Sequence, residues 1–332
     1  MYSRCFGGRT MEFIMVDNTL STGPKTGRFR LHLSLRRKEE LSGWLWTAPW
    51  WGGFLLFSAY PMIYGLYMSL TNARWVGAGE FVGAQNYITA LTADPLFWPS
   101  MGRTLYYTGF IVPFGLGASL LAALVLNQKL VGQNFFRTLF YIPSLMPSVA
   151  LVVMWAWILN PRYGLLNQIL EGLGLVGPGW LHSTAWAMPS LFIMAIWGSF
   201  GGSSMLIFLA ALQSVPESLY EACELDGGGS WHKFRHVTVP MISPAIFFNF
   251  VMGIINSFQS FLFSFLGPPV PGGPNYATYT LSLHMYKLGF EEGRLGYATA
   301  MAWLQFVVVV AVILINYKLS GRWLFMAAMD ND

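Results

Sequence analysis

Residues 295–317 read Leu-Gly-Tyr-Ala-Thr-Ala-Met-Ala-Trp-Leu-Gln-Phe-Val-Val-Val-Val-Ala-Val-Ile-Leu-Ile-Asn-Tyr, 23 positions without one Asp, Glu, Lys or Arg. A bilayer core about 30 Å thick is crossed by roughly 20 apolar residues in a helix. After its opening Gln, the run 305–315 is continuously apolar. The period-2 alternation of a membrane β-strand is missing. Working outward, 41–73, 104–128, 138–161, 172–216 and 236–286 are equally free of charge. Only 34 of 332 residues are charged, while 55% are apolar. A soluble domain carries roughly 25% charged residues, so soluble enzyme, nucleic-acid binder and disordered scaffold are excluded for the whole chain.

The expected fold is an all-α polytopic membrane protein with six transmembrane helices near 45–70, 104–126, 139–159, 187–211, 244–266 and 298–318. The expected organisation is a cytoplasmic tail 1–43, a six-helix domain 44–320 and a cytoplasmic tail 321–332. Met11 and Met15 are alternative starts. With cytoplasmic termini, 14 of the 19 basic residues fall inside, eight of them in the N-terminal tail, and five (Arg74, Arg103, Arg162, Lys287, Arg294) fall outside. That asymmetry follows the positive-inside rule. The net charge of +4 is therefore a topology signal: 14 basic minus 10 acidic residues inside gives +4, and 5 minus 5 outside gives zero. Cys5 and Cys223 both fall on the cytoplasmic side, where a disulfide is not expected.

No nucleotide-binding Gly-x-x-x-x-Gly-Lys-[Ser/Thr] loop occurs, so the chain does not hold ATP phosphates in that way. The spans also lack the buried ionisable groups of ion-coupled carriers. Transport would be passive, or another polypeptide supplies the energy. No catalytic constellation, cofactor site or metal site is expected. His232 and His236 are four apart on one helical face without an evident third ligand, and His182 and His284 fall in external loops.

The loop 212–243 is the unusual internal one. Pro216 opens a short helix with Glu217 at its positive end. Leu219, Ala222 and Cys223 form a small apolar stripe beside Glu221 and Glu224. Gly227, Gly228 and Gly229 break the helix. A second one from Ser230 presents Trp231, Phe234 and Val237 until Pro240 stops it. Two short helices at a glycine corner form either a docking knob or an amphipathic hairpin on lipid headgroups.

Glu221-Ala222-Cys223-x-x-Asp226-Gly227, with Pro240 in Val237-Thr238-Val239-Pro240, resembles the EAA loop of ATP-binding-cassette (ABC) importer permeases. Cys223 and Gly228 stand where alanine is usual, and the extra glycine is expected to loosen the corner. Further segments resemble the first, maltose-type permease of carbohydrate and glycerol-3-phosphate importers. They include Phe81-Val82-Gly83-x-x-Asn86-Tyr87, Asp94-Pro95-x-Phe97-Trp98, Asn160-Pro161-x-Tyr163-Gly164, Gly272-Gly273-Pro274 and Gly296-Tyr297-Ala298. The resemblance implies a type I importer in the bacterial or archaeal cytoplasmic membrane. Its parts would be a second permease subunit, two ATPase subunits and an extracytoplasmic solute-binding protein. It also implies that Glu221, Ala222, Asp226, Gly227, Trp231, Phe234 and Pro240 serve ATPase coupling, Glu221 by a polar contact. The alternative is a self-contained secondary carrier or channel.

For the solute path, Asn256, Gln259, Ser260 and Phe263 fall on one face of the fifth span, with Trp197 and Ser199 as further candidates in the fourth. Amides and hydroxyls beside aromatic rings suit sugar hydroxyls and sugar faces. The same residues serve equally as interhelical hydrogen bonds. Gly198-x-x-x-Gly202 reads as a close helix contact.

Overall fold

A computed structural model describes residues 35–76, 79–128 and 132–320. The expected tail 321–332 and most of the tail 1–43 lie outside the described residues. Among these residues helices are joined by turns and irregular loops, no strand is present, and Thr71 and Phe81 form an isolated bridge. The contacts divide it into two units, 1–58 and 59–332. The first contains α1 (Leu35–Phe54), which carries Pro49 and exposes Trp44, Trp46 and Trp50.

The second unit opens with α2 (Tyr60–Ser69) and α3 (Gln85–Thr92), followed by α4 (Phe97–Asn127). At 31 residues, α4 is about 46 Å long. Pro113 inside it leaves the Gly109 carbonyl without its helical donor, a gap that membrane helices tolerate. Next come α5 (Gln133–Tyr141), α6 (Ser148–Ile158), α7 (Leu165–Gly172), α8 (Thr184–Ser199) and α9 (Ser203–Gln213). The chain then turns through α10 (Glu217–Leu225), α11 (Ser230–Lys233) and α12 (Val239–Met241). It returns as α13 (Ser243–Gln259), α14 (Leu262–Leu266), α15 (Leu281–Tyr286) and α16 (Leu295–Ser320). The axis of this unit is α4, which packs against α8, α9, α13 and α15, while α16 packs against α2, α3, α13 and α15.

Small residues set the α4 contact. A Cβ on Gly115 would lie 3.0 Å from Ser199 Oγ, and Ser119 Oγ donates to the Ser199 carbonyl at 2.7 Å. Without a hydrophobic drive between helices in lipid, such close backbone approach and side-chain bonding supply the association. At the last turns of α4, Ala122, Ala123 and Leu126 pack with Met205, Phe208, Leu209 and Leu212 of α9 and with Ile242. This collar holds both ends of the loop 212–243.

Three helices are long and apolar enough to cross a membrane singly: Phe97–Asn127, Ser243–Leu266 and Leu295–Lys318. Two bent pairs raise the number to five. The third span, expected near 139–159, is broken. Gln133–Leu145 and Ser148–Ile158 meet at 94°. Pro143 and Pro147 cause the break: Met146, before Pro147, is pushed to extended backbone (φ −71°, ψ 137°). The 11 residues of α6 span about 16 Å, half of a bilayer core. The expected fourth span likewise bends by 45° between α8 and α9, at Phe200-Gly201-Gly202. The expected first span, 45–70, is helical through Ser69 but divided among α1, a π-helical turn Leu55–Ala59 and α2.

Candidate coupling loop and solute path

The loop 212–243 folds as two helical arms about a glycine corner. Glu217 begins α10 after Pro216. At its other end Gly227 takes a left-handed φ of 81°, and its N–H donates to the Glu224 carbonyl at 2.9 Å. The Gly228 N–H donates to the Cys223 carbonyl at 2.8 Å. These paired bonds with a left-handed glycine form a Schellman cap, which fixes where α10 stops and how the chain leaves it. The arms are tied by the Lys233–Glu224 ion pair and by the Tyr220 and Thr238 hydroxyls at 3.0 Å.

Two expectations for this loop are corrected. The second arm does not stop at Pro240: it continues from α11 through a π-helical turn, Phe234–Thr238, into α12. Pro240 follows the π-helical turn within this arm, where its missing N–H interrupts the helical hydrogen-bond ladder. The extra glycine does not loosen the corner. A Cβ on Gly228 would lie 2.6 Å from Cys223 Sγ and 2.8 Å from the Cys223 carbonyl oxygen. The larger side chain at 223 and the absent one at 228 therefore meet in space.

The knob presents a mixed surface. Leu225 is 90% exposed and Trp231 70% exposed. Glu221, Ala222 and Asp226 are also exposed. Phe234 is half-buried, 5.6 Å from the Trp231 ring. His232 and His236 stack at 4.0 Å on the expected shared face. Among the described residues no group of three His, Cys, Asp or Glu is placed to hold a metal ion.

The candidate path residues separate into two sets. Asn256, Ser260, Phe263 and Ser199 line a cavity of about 350 Å³ between α4, α8, α9 and α13. Gln259 and Trp197 do not line it. The reason at Gln259 is that α13 ends there: Ser260 is extended (φ −74°, ψ 95°), so the face drawn for an unbroken helix does not continue. Trp197 turns to Trp155, ring to ring at 5.6 Å. The reading missed Ser203, Ser204 and Asn249, which line the same cavity, as do Ser119 and Ser257. Ser257 is occupied by Thr108 Oγ1 at 2.9 Å and Asn249 by the Ala245 carbonyl at 3.0 Å.

The Gly198–Gly202 reading is also corrected. Both glycines border the cavity, and a Cβ on Gly198 would meet nothing within 4 Å. The close contact belongs to Gly201, where a Cβ would collide with the Phe140 carbonyl oxygen. There the break between α8 and α9 touches the end of α5.

At the far end of α4 from the loop, several motif residues prove to be braces. Asp94 Oδ2 accepts from Tyr297 OH at 2.8 Å and lies 3.0 Å from His284 Nε2, while Tyr279 OH meets His284 Nδ1 at 3.1 Å. His284, expected in an external loop, is only 4% exposed. Burial raises the Asp94 pKa, but the hydrogen bonds from His284, Tyr297 and the Leu96 N–H more than offset this and hold it below the ordinary carboxylate value. Asn86 donates to the carbonyls of Ser69 and Thr71, each at 2.8 Å.

A helical bundle with apolar candidate membrane spans, a two-armed loop and an uncharged cavity defines a membrane permease. Residues 115–324 match the model of the binding-protein-dependent transport system inner membrane component. The probable ABC transporter permease YesP of Bacillus subtilis is 36% identical over 86% of this chain and 93% of that protein. The lactose transport permease LacF of Rhizobium radiobacter is 34% identical over 84% and 94%. A chain of the bacterial alginate ABC transporter, solved with its alginate pentasaccharide-bound periplasmic protein, superposes with a TM-score of 0.74 at 25% identity, covering 87% of this chain and 96% of that one. The chain belongs to the binding-protein-dependent transport system inner membrane component family: it is an ABC importer permease.

Proposed function

We propose that this chain is one permease of an ATP-driven importer for a sugar or related polyol. It spans the membrane six times with both termini in the cytoplasm, and forms half of the translocation path beside a second permease subunit. Two ATPase subunits dock on the loop 212–243, and an extracytoplasmic solute-binding protein delivers the solute. The names of relatives support the sugar class: LacF is a lactose permease and AraP an arabinooligosaccharide permease. The observation that carries the coupling role is the capped corner at Gly227, which holds exposed Leu225 and Trp231 beside Glu221 at the tip of two short arms. A rigid projecting knob transmits motion where a flexible loop would absorb it, and ATP acts only by favouring one arrangement of the bundle over the other. Glu221 supplies a polar contact, Ala222 lets the partner approach, and Asp226 with Gly227 sets the turn.

Co-purification with the ATPase subunit tests this directly. Glu221→Lys reverses the charge on the knob, and Gly227→Val forces a β-branched residue into left-handed backbone. Both variants should insert in the membrane yet lose the ATPase partner or ATP-driven uptake. Normal assembly and uptake by both would exclude the coupling role.

A further inference from the structure

The seam between α4 and α8 holds a second pocket, of about 370 Å³, lined by Pro99, Gly102, Arg103, Tyr106, Met188 and Ala277. Arg103 is half-buried and lines this pocket, and its Nη1 has no hydrogen-bond partner. A guanidinium has five donors in a planar fork, and leaving one buried and unmade is costly. None of the residues lining this pocket or the cavity between α4, α8, α9 and α13 is acidic, so neither contains its counter-charge. Arg103 stands four residues before Tyr107, and Tyr107, Ile111, Gly115 and Ser119 of the same α4 face line that cavity. One helical turn is about 5.4 Å, so the pockets follow one another along the helix. Between them the Phe192 ring lies 5.6 Å from Tyr106 and 5.9 Å from Tyr107. The order along the seam is an unpaired cation, an aromatic layer, then hydroxyls and amides.

We propose that the Arg103 pocket binds a carboxylate carried by the solute, so that the importer takes an acidic saccharide such as a uronate. This rests on the importer reading and sharpens its substrate class. The guanidinium fork pairs with a planar carboxylate through two parallel N–H···O bonds, a charge-assisted contact that a neutral hydroxyl does not match. The aromatic layer offers faces for the sugar ring, and Asn256, Ser199 and Ser260 offer partners for its hydroxyls.

The test is protection of Arg103 from phenylglyoxal in the complete purified importer, read by mass spectrometry on the peptide carrying that residue. Glucuronate should slow labelling about tenfold, and glucose at equal concentration should not, as expected for one charge-assisted pair. Protection by both sugars or by neither overturns the proposal. Protection by the solute-binding protein without sugar also overturns it, assigning the carboxylate to the docked protein. None of these outcomes touches the coupling assignment, which is read by ATPase co-purification.

Discussion

A side chain at Gly228 would meet both the sulfur and the backbone carbonyl of Cys223. Gly228→Ala places a methyl group against both Sγ and the carbonyl of Cys223, at 2.6 and 2.8 Å. The variant should therefore lose part of its ATPase co-purification. Adding Cys223→Ala relieves only the sulfur contact, so the double variant should recover partly; no recovery would break the link between the two positions. The same loop residues were legible as a motif, but their packing was not, because spacing along a chain does not say which side chains meet across a turn. Asp94 is a second case: Asp94-Pro95 and Gly296-Tyr297 read as separate markers, 203 residues apart, until a single hydrogen bond joined them. Asp94→Asn leaves His284 without its charged acceptor and should cost about 1–3 kcal/mol in thermal unfolding in detergent. A depressed carboxylate contributes stability above its unfolded value of about 4 and loses it as pH falls through its lower folded value. Wild-type stability should thus decline in that acid window, and the Asn variant should lack this component; parallel pH curves would contradict the account.

The break between α8 and α9 borders the cavity. Charge-free lengths revealed that 138–161 and 172–216 enter the membrane, but length alone does not report a bend. The signals were present in Pro143 with Pro147, and in the Gly201-Gly202 pair, since sharp kinks arise at prolines and glycines. Equally, Asn256 and Ser260 were legible as path candidates while Gln259 was misplaced, because a helix face was extended past the end of α13. Gly201 makes a close contact with the end of α5 and Gly198 makes none, so the two glycines should respond differently. Gly201→Ala collides with the Phe140 carbonyl and should lower the unfolding temperature, at a cost of about 1–3 kcal/mol. Gly198→Ala meets nothing within 4 Å, should leave stability unchanged and should alter uptake by narrowing the cavity. Equal stability of the two alanine variants would remove the close contact.

At the scale of the whole molecule, α4 joins the two ends on which the account depends. Its last turns pack with α9 and Ile242 into the collar holding the knob, its middle lines the uncharged cavity, and its first turns carry Arg103. In the proposed importer the energy comes from ATPase subunits docked on the loop 212–243. The central claim is therefore energetic: solute moves only when an ATPase drives the bundle through the loop 212–243. Proteoliposomes containing both permeases, with or without the ATPase, and supplied with solute-loaded binding protein, measure this directly. The account predicts accumulation that requires both the ATPase and ATP and is abolished by Glu221→Lys. Equal solute entry without the ATPase would contradict it and identify a self-contained carrier or channel.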